Sequence, residues 1–258
     1  MNLKPLLIPV LSLTTLLNHT LYAAQDTAGK TAESPKWSYQ GDAGPENWSK
    51  LSTDYHACQY GKNQSPVNIS QATDAKMGTV DYDYSMLTGE RIINNGHTLQ
   101  VDIRSGGEIS LDGKTYHLKQ FHFHSPSENT INQRSFPLEV HFVHASESGE
   151  LAVVAMMYQP GPPDPLLNQL LPLLPQEKGQ QNRLGSKTIA VLETEKKLKH
   201  YFRYNGSLTT PPCSEGVTWI VNKAHFTISP PQLVAMQRAL KNPNNRPLQP
   251  LNSRLILD

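Results

Sequence analysis

The sequence is short of cysteine, carries no surplus of charge and, past its first residues, has no long apolar run. Each shortage removes a class of protein. With 23 Lys and Arg against 22 Asp and Glu the net charge is +1, and no block of Lys and Arg stands out, so the clustered positive surface that nucleic-acid phosphates require is missing. The same balance, together with apolar stretches such as Leu151 to Tyr158, excludes an intrinsically disordered chain. Twenty Pro and 16 Gly in 258 residues is ordinary usage and excludes collagen-like or low-complexity sequence. No run after residue 24 approaches the roughly 18 to 20 apolar residues of a membrane helix, which predicts no membrane insertion. The His-Glu-x-x-His, Gly-x-Ser-x-Gly and phosphate-loop motifs are absent as well.

What is present begins at the N-terminus. Lys4 precedes an apolar stretch from Pro5 to Leu17, and Leu21-Tyr22-Ala23-Ala24 follows. This order predicts a secretory signal peptide over 1–24, a flexible polar tail over 25–35 and a mature domain over 36–258. The periplasm is the expected compartment, with secretion as the alternative. Export exposes the two cysteines, Cys58 and Cys213, to an oxidising environment and predicts one bridge between them. In the chain-entropy picture, closing so long a loop stabilises by at most about 5 kcal/mol.

Short β-branched and aromatic runs predict strands over Thr98 to Ile103, Glu108 to Leu111, Tyr116 to His124, Leu138 to His144, Leu151 to Tyr158 and Val217 to Val221. Turn signals separate them: Asn95-Gly96, Asp112-Gly113, Ser148-Gly149 and Pro160-Gly161-Pro162-Pro163. Helical pattern is sparse, with candidates at Pro165 to Leu174 and at Pro230 to Leu240, the latter capped by Ser229. The reading is a single, mainly β domain with short peripheral helices.

Histidine carries the chemical signal. In Gln120-Phe121-His122-Phe123-His124, a strand's period of two sends Gln120, His122 and His124 to one face and both phenylalanines to the other. In Leu138 to His144 the same rule groups Glu139, His141 and Val143 and opposes them to Val140, Phe142 and His144, which is read as a core histidine. The polar link from Ser125 to Pro137 lets the two strands lie side by side and antiparallel, bringing three imidazoles around one point. Three neutral imidazoles on rigid strands suit a tetrahedral Zn²⁺ with one corner left for solvent, the ligand set of a catalytic His₃ site. Gln120 and Glu139 are placed to accept the second ring N–H of a ligand and fix its tautomer. A rival remains at this level: His122, His124 and Glu128 also have the ligand spacing of cupin barrels, although Tyr116 and Ser135 stand where those barrels have glycine. The third ligand is then His141 or Glu128. In a cupin, Glu128→Gln strips the metal; with His141 as ligand the metal stays and activity suffers.

Beyond these strands, the chain carries Gly44-Pro45-x-x-Trp48, Gln64-Ser65-Pro66-Val67-Asn68-Ile69, Asn94-Asn95-Gly96-His97-Thr98, Ser127-Glu128, Tyr204 to Cys213 and Asn245-Arg246-Pro247-x-Gln249-Pro250-Leu251-Asn252. In these motifs, spread over nearly all of the mature chain, it resembles the α-class carbonic anhydrases, specifically their exported bacterial members. The resemblance implies a large, mostly antiparallel twisted sheet of about ten strands and cis bonds at Ser65-Pro66 and Pro211-Pro212. By position it implies His122, His124 and His141 as the zinc ligands. It makes Glu128 and Thr209 an orienting pair for a zinc-bound hydroxide that attacks CO₂, with His97 as proton shuttle. Val143, Val153, Leu208, Thr209, Thr210 and Trp219 then form the substrate site, and the Cys58–Cys213 bridge pins the loop bearing Thr209.

The implied reaction is reversible hydration of CO₂ to bicarbonate and a proton, serving CO₂ and pH homeostasis. Lowering the pKa of water from near 15.7 to about 7, the value established for carbonic anhydrase itself, corresponds to roughly 12 kcal/mol at 1.36 kcal/mol per unit. Inhibition by sulfonamides and small anions is implied too, and a homodimer is compatible with the sequence. Asn129 and Ser125 stand where many animal members have histidine and tryptophan, which alters the packing behind the metal. Some relatives keep the scaffold as binding modules and lose a ligand histidine; this chain keeps all three.

Overall fold

The computed structural model describes residues 35–185, 189 and 199–258. The signal peptide expected over 1–24 and the tail expected over 25–35, its last residue excepted, lie outside the described residues. Strands β1 (Asn68–Ile69) and β7 (Thr130–Ile131) form a small parallel pair. The remaining strands are β2 (Asp81–Asp83), β3 (Thr88–Asn94), β4 (Leu99–Ser105), β5 (Glu108–Leu111), β6 (Lys114–His124), β8 (Leu138–Ala145), β9 (Leu151–Pro160), β10 (Gln181–Arg183), β11 (Tyr201–Ser207), β12 (Glu215–Asn222) and β13 (Phe226–Ile228). Among the described residues they make one eleven-stranded sheet, ordered β10-β3-β4-β6-β8-β9-β12-β11, with β5 also on β6, β2 on β5 and β13 on β9. Its pairings are antiparallel except those of β9 with β12 and β13. This is the mainly β, mostly antiparallel architecture expected, with one strand more than the ten implied.

Alternation along the central strands divides the core by face. Phe121, Phe123, Val140, Phe142, Val154 and Met156 belong to the larger apolar cluster, where the Phe121 and Phe142 rings stack 4.9 Å apart across β6 and β8. Val153, Ala155, Met157, Val217, Trp219 and Val221 belong to a second cluster with Val67, Ile69, Phe136 and Tyr204. Burying a side chain of the Phe or Val kind contributes about 1.5–3 kcal/mol, so each face fixes the register of the strands it covers.

Two helices pack against the first cluster, and their starts are chemically specified. Asp164 accepts the Leu167 N–H ahead of α3 (Pro165–Leu170). Ser229 and Gln232 form a reciprocal capping box at the head of α4 (Pro230–Leu240), with Pro in its first turn. The helix expected over Pro165 to Leu174 is thus shorter, because Pro172 removes an amide and the chain tightens into a 3₁₀ turn over Leu171–Leu173. The short helices α1 (Trp48–Leu51) and α2 (Ala57–Tyr60) lie in a third cluster of Trp48, Tyr55, Cys58 and Cys213.

The Cys58–Cys213 disulfide is formed, with Cα atoms 5.0 Å apart. Both implied cis bonds are present, together with a third, at Ser125-Pro126, that was not foreseen. Gly206 has no room for a side chain: a Cβ there would overlap Ser65 Oγ and press on Trp219 and Tyr204. Its absence lets β11 close onto the segment carrying Ser65.

Candidate metal centre

The register of β6 on β8 does what parity requires. His122 sits opposite His141, His124 opposite Glu139 and Gln120 opposite Val143. Three imidazoles therefore rise from one face, each offering a ring nitrogen within 4.8 Å of the others. The three rings are oriented by three different acceptors. His122 Nδ1 donates to Gln120 Oε1 at 2.8 Å, His124 Nδ1 to the Asn244 carbonyl at 2.7 Å, and His141 Nε2 to Glu139 Oε1 at 2.8 Å. These bonds put the protons on the outer nitrogens and leave Nε2, Nε2 and Nδ1 as the inward lone pairs. His124 Nε2 is buried without a partner, a costly state for a polar atom. An unpaired buried lone pair beside two further imidazoles fits a borderline-soft dication such as zinc.

Burial depresses the pKa of all three histidines, with neighbouring imidazoles adding to it at His122 and His141 and the Asn244 carbonyl opposing it at His124. The rings are thus neutral, as ligands must be. Glu139 is held by more than its histidine: its carboxylate accepts the amide N–H groups of Glu128 and Asn129 and the Asn129 side-chain amide. Asn129 in turn accepts from the Val67 amide and the Tyr204 hydroxyl. Asparagine at this position is therefore a fixed part of the frame behind the metal.

Glu128 is not part of the group of converging ligand atoms, which His122, His124 and His141 make. Its Oε1 accepts the Arg246 amide at 2.9 Å, while Oε2 lies 3.5 Å from His124 Nε2 and 3.9 Å from His141 Nδ1. Burial pushes its pKa up to about 8, against the Arg246 amide and the Thr209 hydroxyl, which lower it. A dication held by the imidazoles would favour the ionised carboxylate.

The apolar residues named from the sequence converge beside His141. Val153 and Trp219 are buried, and Val143 and Leu208 pack against them. The Trp219 ring meets the His141 ring edge-on at 4.8 Å, and its indole N–H donates to the Ser207 carbonyl. Thr209 is buried, and the Thr210 carbonyl accepts the Cys213 amide, closing the loop on the disulfide. His97 stands apart from the imidazole trio. Its ring stacks on Trp37 at 3.7 Å, half-buried, and lines with Lys178 and Asn244 a polar cavity of about 220 Å³. Burial, and then Lys178, depress its pKa.

The sequence alone assigns no role to two residues of the centre. Asn244 supplies the third acceptor through its backbone, 120 positions from His124, and no residue type marks a carbonyl. Arg246 is 2 % exposed; its guanidinium donates to Gln64 Oε1 and to the Ser65 and Cys58 carbonyls. Its place in the Asn245-Arg246-Pro247 motif marked it, but without a role.

A twisted, mostly antiparallel sheet that offers three outward-anchored imidazoles defines the class: a His₃ zinc protein built on strands. Comparison with known proteins makes it particular. A family model described as eukaryotic-type carbonic anhydrase matches residues 43–258. A carbonic anhydrase of Neisseria gonorrhoeae is 41% identical over 257 residues, covering 98% of each chain; one of Pectobacterium atrosepticum is 42% identical over 230 residues, 89% of this chain and 93% of that one. The solved α-carbonic anhydrase of Thermovibrio ammonificans, in complex with the inhibitor sulfanilamide, superposes with a TM-score of 0.82 at 40% identity, covering 88% of this chain and 100% of that one. The chain belongs to the α-type carbonic anhydrases. It is a carbonate dehydratase with its zinc site at His122, His124 and His141.

Proposed function

We propose that the protein hydrates CO₂ reversibly in the periplasm after removal of residues 1–24, with 25–35 as a tail and 36–258 as the catalytic domain. The single observation that carries the catalytic reading is the division of labour on the three rings: every outer nitrogen is spent on its own acceptor, and the inner ones converge within 4.8 Å of one another. Zinc, when bound, supplies the Lewis acidity that makes hydroxide available near neutral pH. The rest falls to the chain. Gln120, Glu139 and the Asn244 carbonyl hold the ligand rings in place. Glu128, fixed by the Arg246 amide, accepts the Thr209 hydroxyl proton, so that the Thr209 oxygen acts as acceptor toward the site and orients the nucleophile. The Thr209 amide is the donor for a substrate oxygen. Val143, Val153, Leu208 and Trp219, with Thr210 at the margin, form the apolar wall where CO₂ waits, and exclude water from it.

His97 takes the departing proton and passes it to buffer, and its lowered pKa favours handing it on. The disulfide supports residence in an oxidising compartment. Aromatic sulfonamides and small anions are expected inhibitors, since a relative of this chain was solved with sulfanilamide. Stopped-flow CO₂ hydration on the mature protein, paired with metal analysis before and after chelation, tests the reading. Rate and zinc fall together and return together; a rate that survives complete zinc removal overturns it.

A further inference from the structure

The three groups read as working together, His124, His97 and Glu128, all touch one short segment after α4. The Asn244 carbonyl receives the His124 Nδ1–H at 2.7 Å. The Asn244 side chain donates to the His97 carbonyl at 3.0 Å and to the Phe123 carbonyl at 2.8 Å, and accepts the Ser125 amide at 2.9 Å. Two residues on, the Arg246 amide binds Glu128 Oε1. At 3 % exposure, Asn244 has no competition from water for these bonds, and its side-chain amide is satisfied on both ends.

The backbone carbonyl that fixes the His124 tautomer is only as well placed as the residue that bears it. Around Asn244 the main chain is irregular: Lys241 has φ +66°, and no strand or helix covers residues 241–255. No ladder of backbone bonds holds this stretch in register. The Asn244 side chain does so instead, gripping Phe123 and Ser125 on either side of His124 with two of its three bonds. The third bond reaches the turn that carries His97. That turn is itself tightly made: the Asn95 side chain accepts the His97 and Thr98 amides at 2.9 Å each, and the Asn94 side chain donates to the Ala239 carbonyl at the end of α4.

We propose that the Asn244 side chain is a positioning residue that locks the acceptor of His124 and the His97 turn into one frame, so that metal retention and proton export depend on the same amide. The part concerning His97 rests on its reading as the proton shuttle; the part concerning His124 does not. Asn244→Ala keeps the backbone carbonyl and deletes only the three side-chain bonds.

The test is zinc release from the holoenzyme into a chromogenic chelator, together with CO₂ hydration across a range of buffer concentrations and the NMR resonances of His97. Partners that orient a ligand from behind typically change metal affinity 10- to 100-fold, so Asn244→Ala is expected to speed release at least 10-fold. kcat in weak buffer should fall more than kcat/KM, and Asn244→Ala with His97→Ala should lose less than the two single losses multiplied. His97 resonances should shift. Gln237→Ala, which removes a different bond to Ser125, should leave release within twofold. Should the alanine variant fold poorly, Asn244→Asp keeps the volume and the acceptor for Ser125 and removes both amide donors. Release within twofold of the parent overturns the proposal, as does a lowered melting temperature with unchanged release. Faster release with unmoved His97 resonances overturns the link to the His97 turn. If His97→Ala leaves kcat untouched in weak buffer, the shuttle reading fails, while release and resonance shifts still decide the frame.

Discussion

Strand β8 carries two buried histidines three residues apart, and their fates are opposite. His141 and His144 are 1 % and 0 % exposed, and burial is the first cause of a depressed pKa at both. His144 has a partner on each nitrogen, the Tyr84 hydroxyl at 2.9 Å and the Ala152 carbonyl at 3.3 Å. His141 has one, Glu139, and turns its other nitrogen toward two more imidazoles. Residue type, burial and strand are shared. What separates a ligand from a structural histidine here is the count of satisfied nitrogens, and an odd step along a strand of period two sets that count by choosing the face.

The largest break in this comparison is His141→Ala. It should abolish most zinc occupancy and cut CO₂ hydration by at least about 10³-fold, measured by metal analysis and stopped flow, because two imidazoles alone do not complete the site. Thr209→Ala is next: zinc is retained and the rate falls about 10²-fold, the usual cost of removing one preorganised hydrogen-bonding group at a reacting centre. His97→Ala should slow turnover mainly in weak buffer, with recovery on added imidazole. His144→Phe is expected to leave zinc stoichiometry intact and destabilise the fold by about 1–3 kcal/mol in urea titrations, because both buried hydrogen bonds of the ring, to the Tyr84 hydroxyl and the Ala152 carbonyl, are lost.

The acid limb of the stability curve sharpens the pair most. The His144 pKa is depressed from its ordinary 6.5 to about 3, so the unfolded chain binds a proton that the folded chain refuses. The stability held above pH 6.5 is then lost as pH falls toward 3, at up to about 1.4 kcal/mol per pH unit. His144→Phe should flatten the acid slope of unfolding free energy by that amount. An unchanged slope means that His144 is not the proton-excluding group.

The histidine faces were legible because a strand's period is short and the motif His-x-His with a third histidine on the facing strand needs only parity and adjacency. The central strands were legible for the same reason. β2, β10 and β13, at three residues each, are too short to express a period, and β3 and β11 contain Gly89 and Gly206 beside polar residues that mask one. The parallel neighbours β9 and β12 are about sixty residues apart in sequence, and nothing local announces that they meet. The Asn244 carbonyl was invisible in principle, since every residue has one. Asn129 was noted as a departure, but the three chain segments it ties together are defined only once the fold exists.

The bond between Cys58 and Cys213 has a practical corollary for anyone who manufactures this catalyst. Material produced in a reducing cytosol and material recovered from an oxidising one differ by two hydrogen atoms in mass and agree in their three imidazoles. They differ in how firmly the strap bearing Thr209 is fastened. Two such batches would carry the same metal content and give discordant specific activities, so thiol titration belongs beside every assay of lot quality.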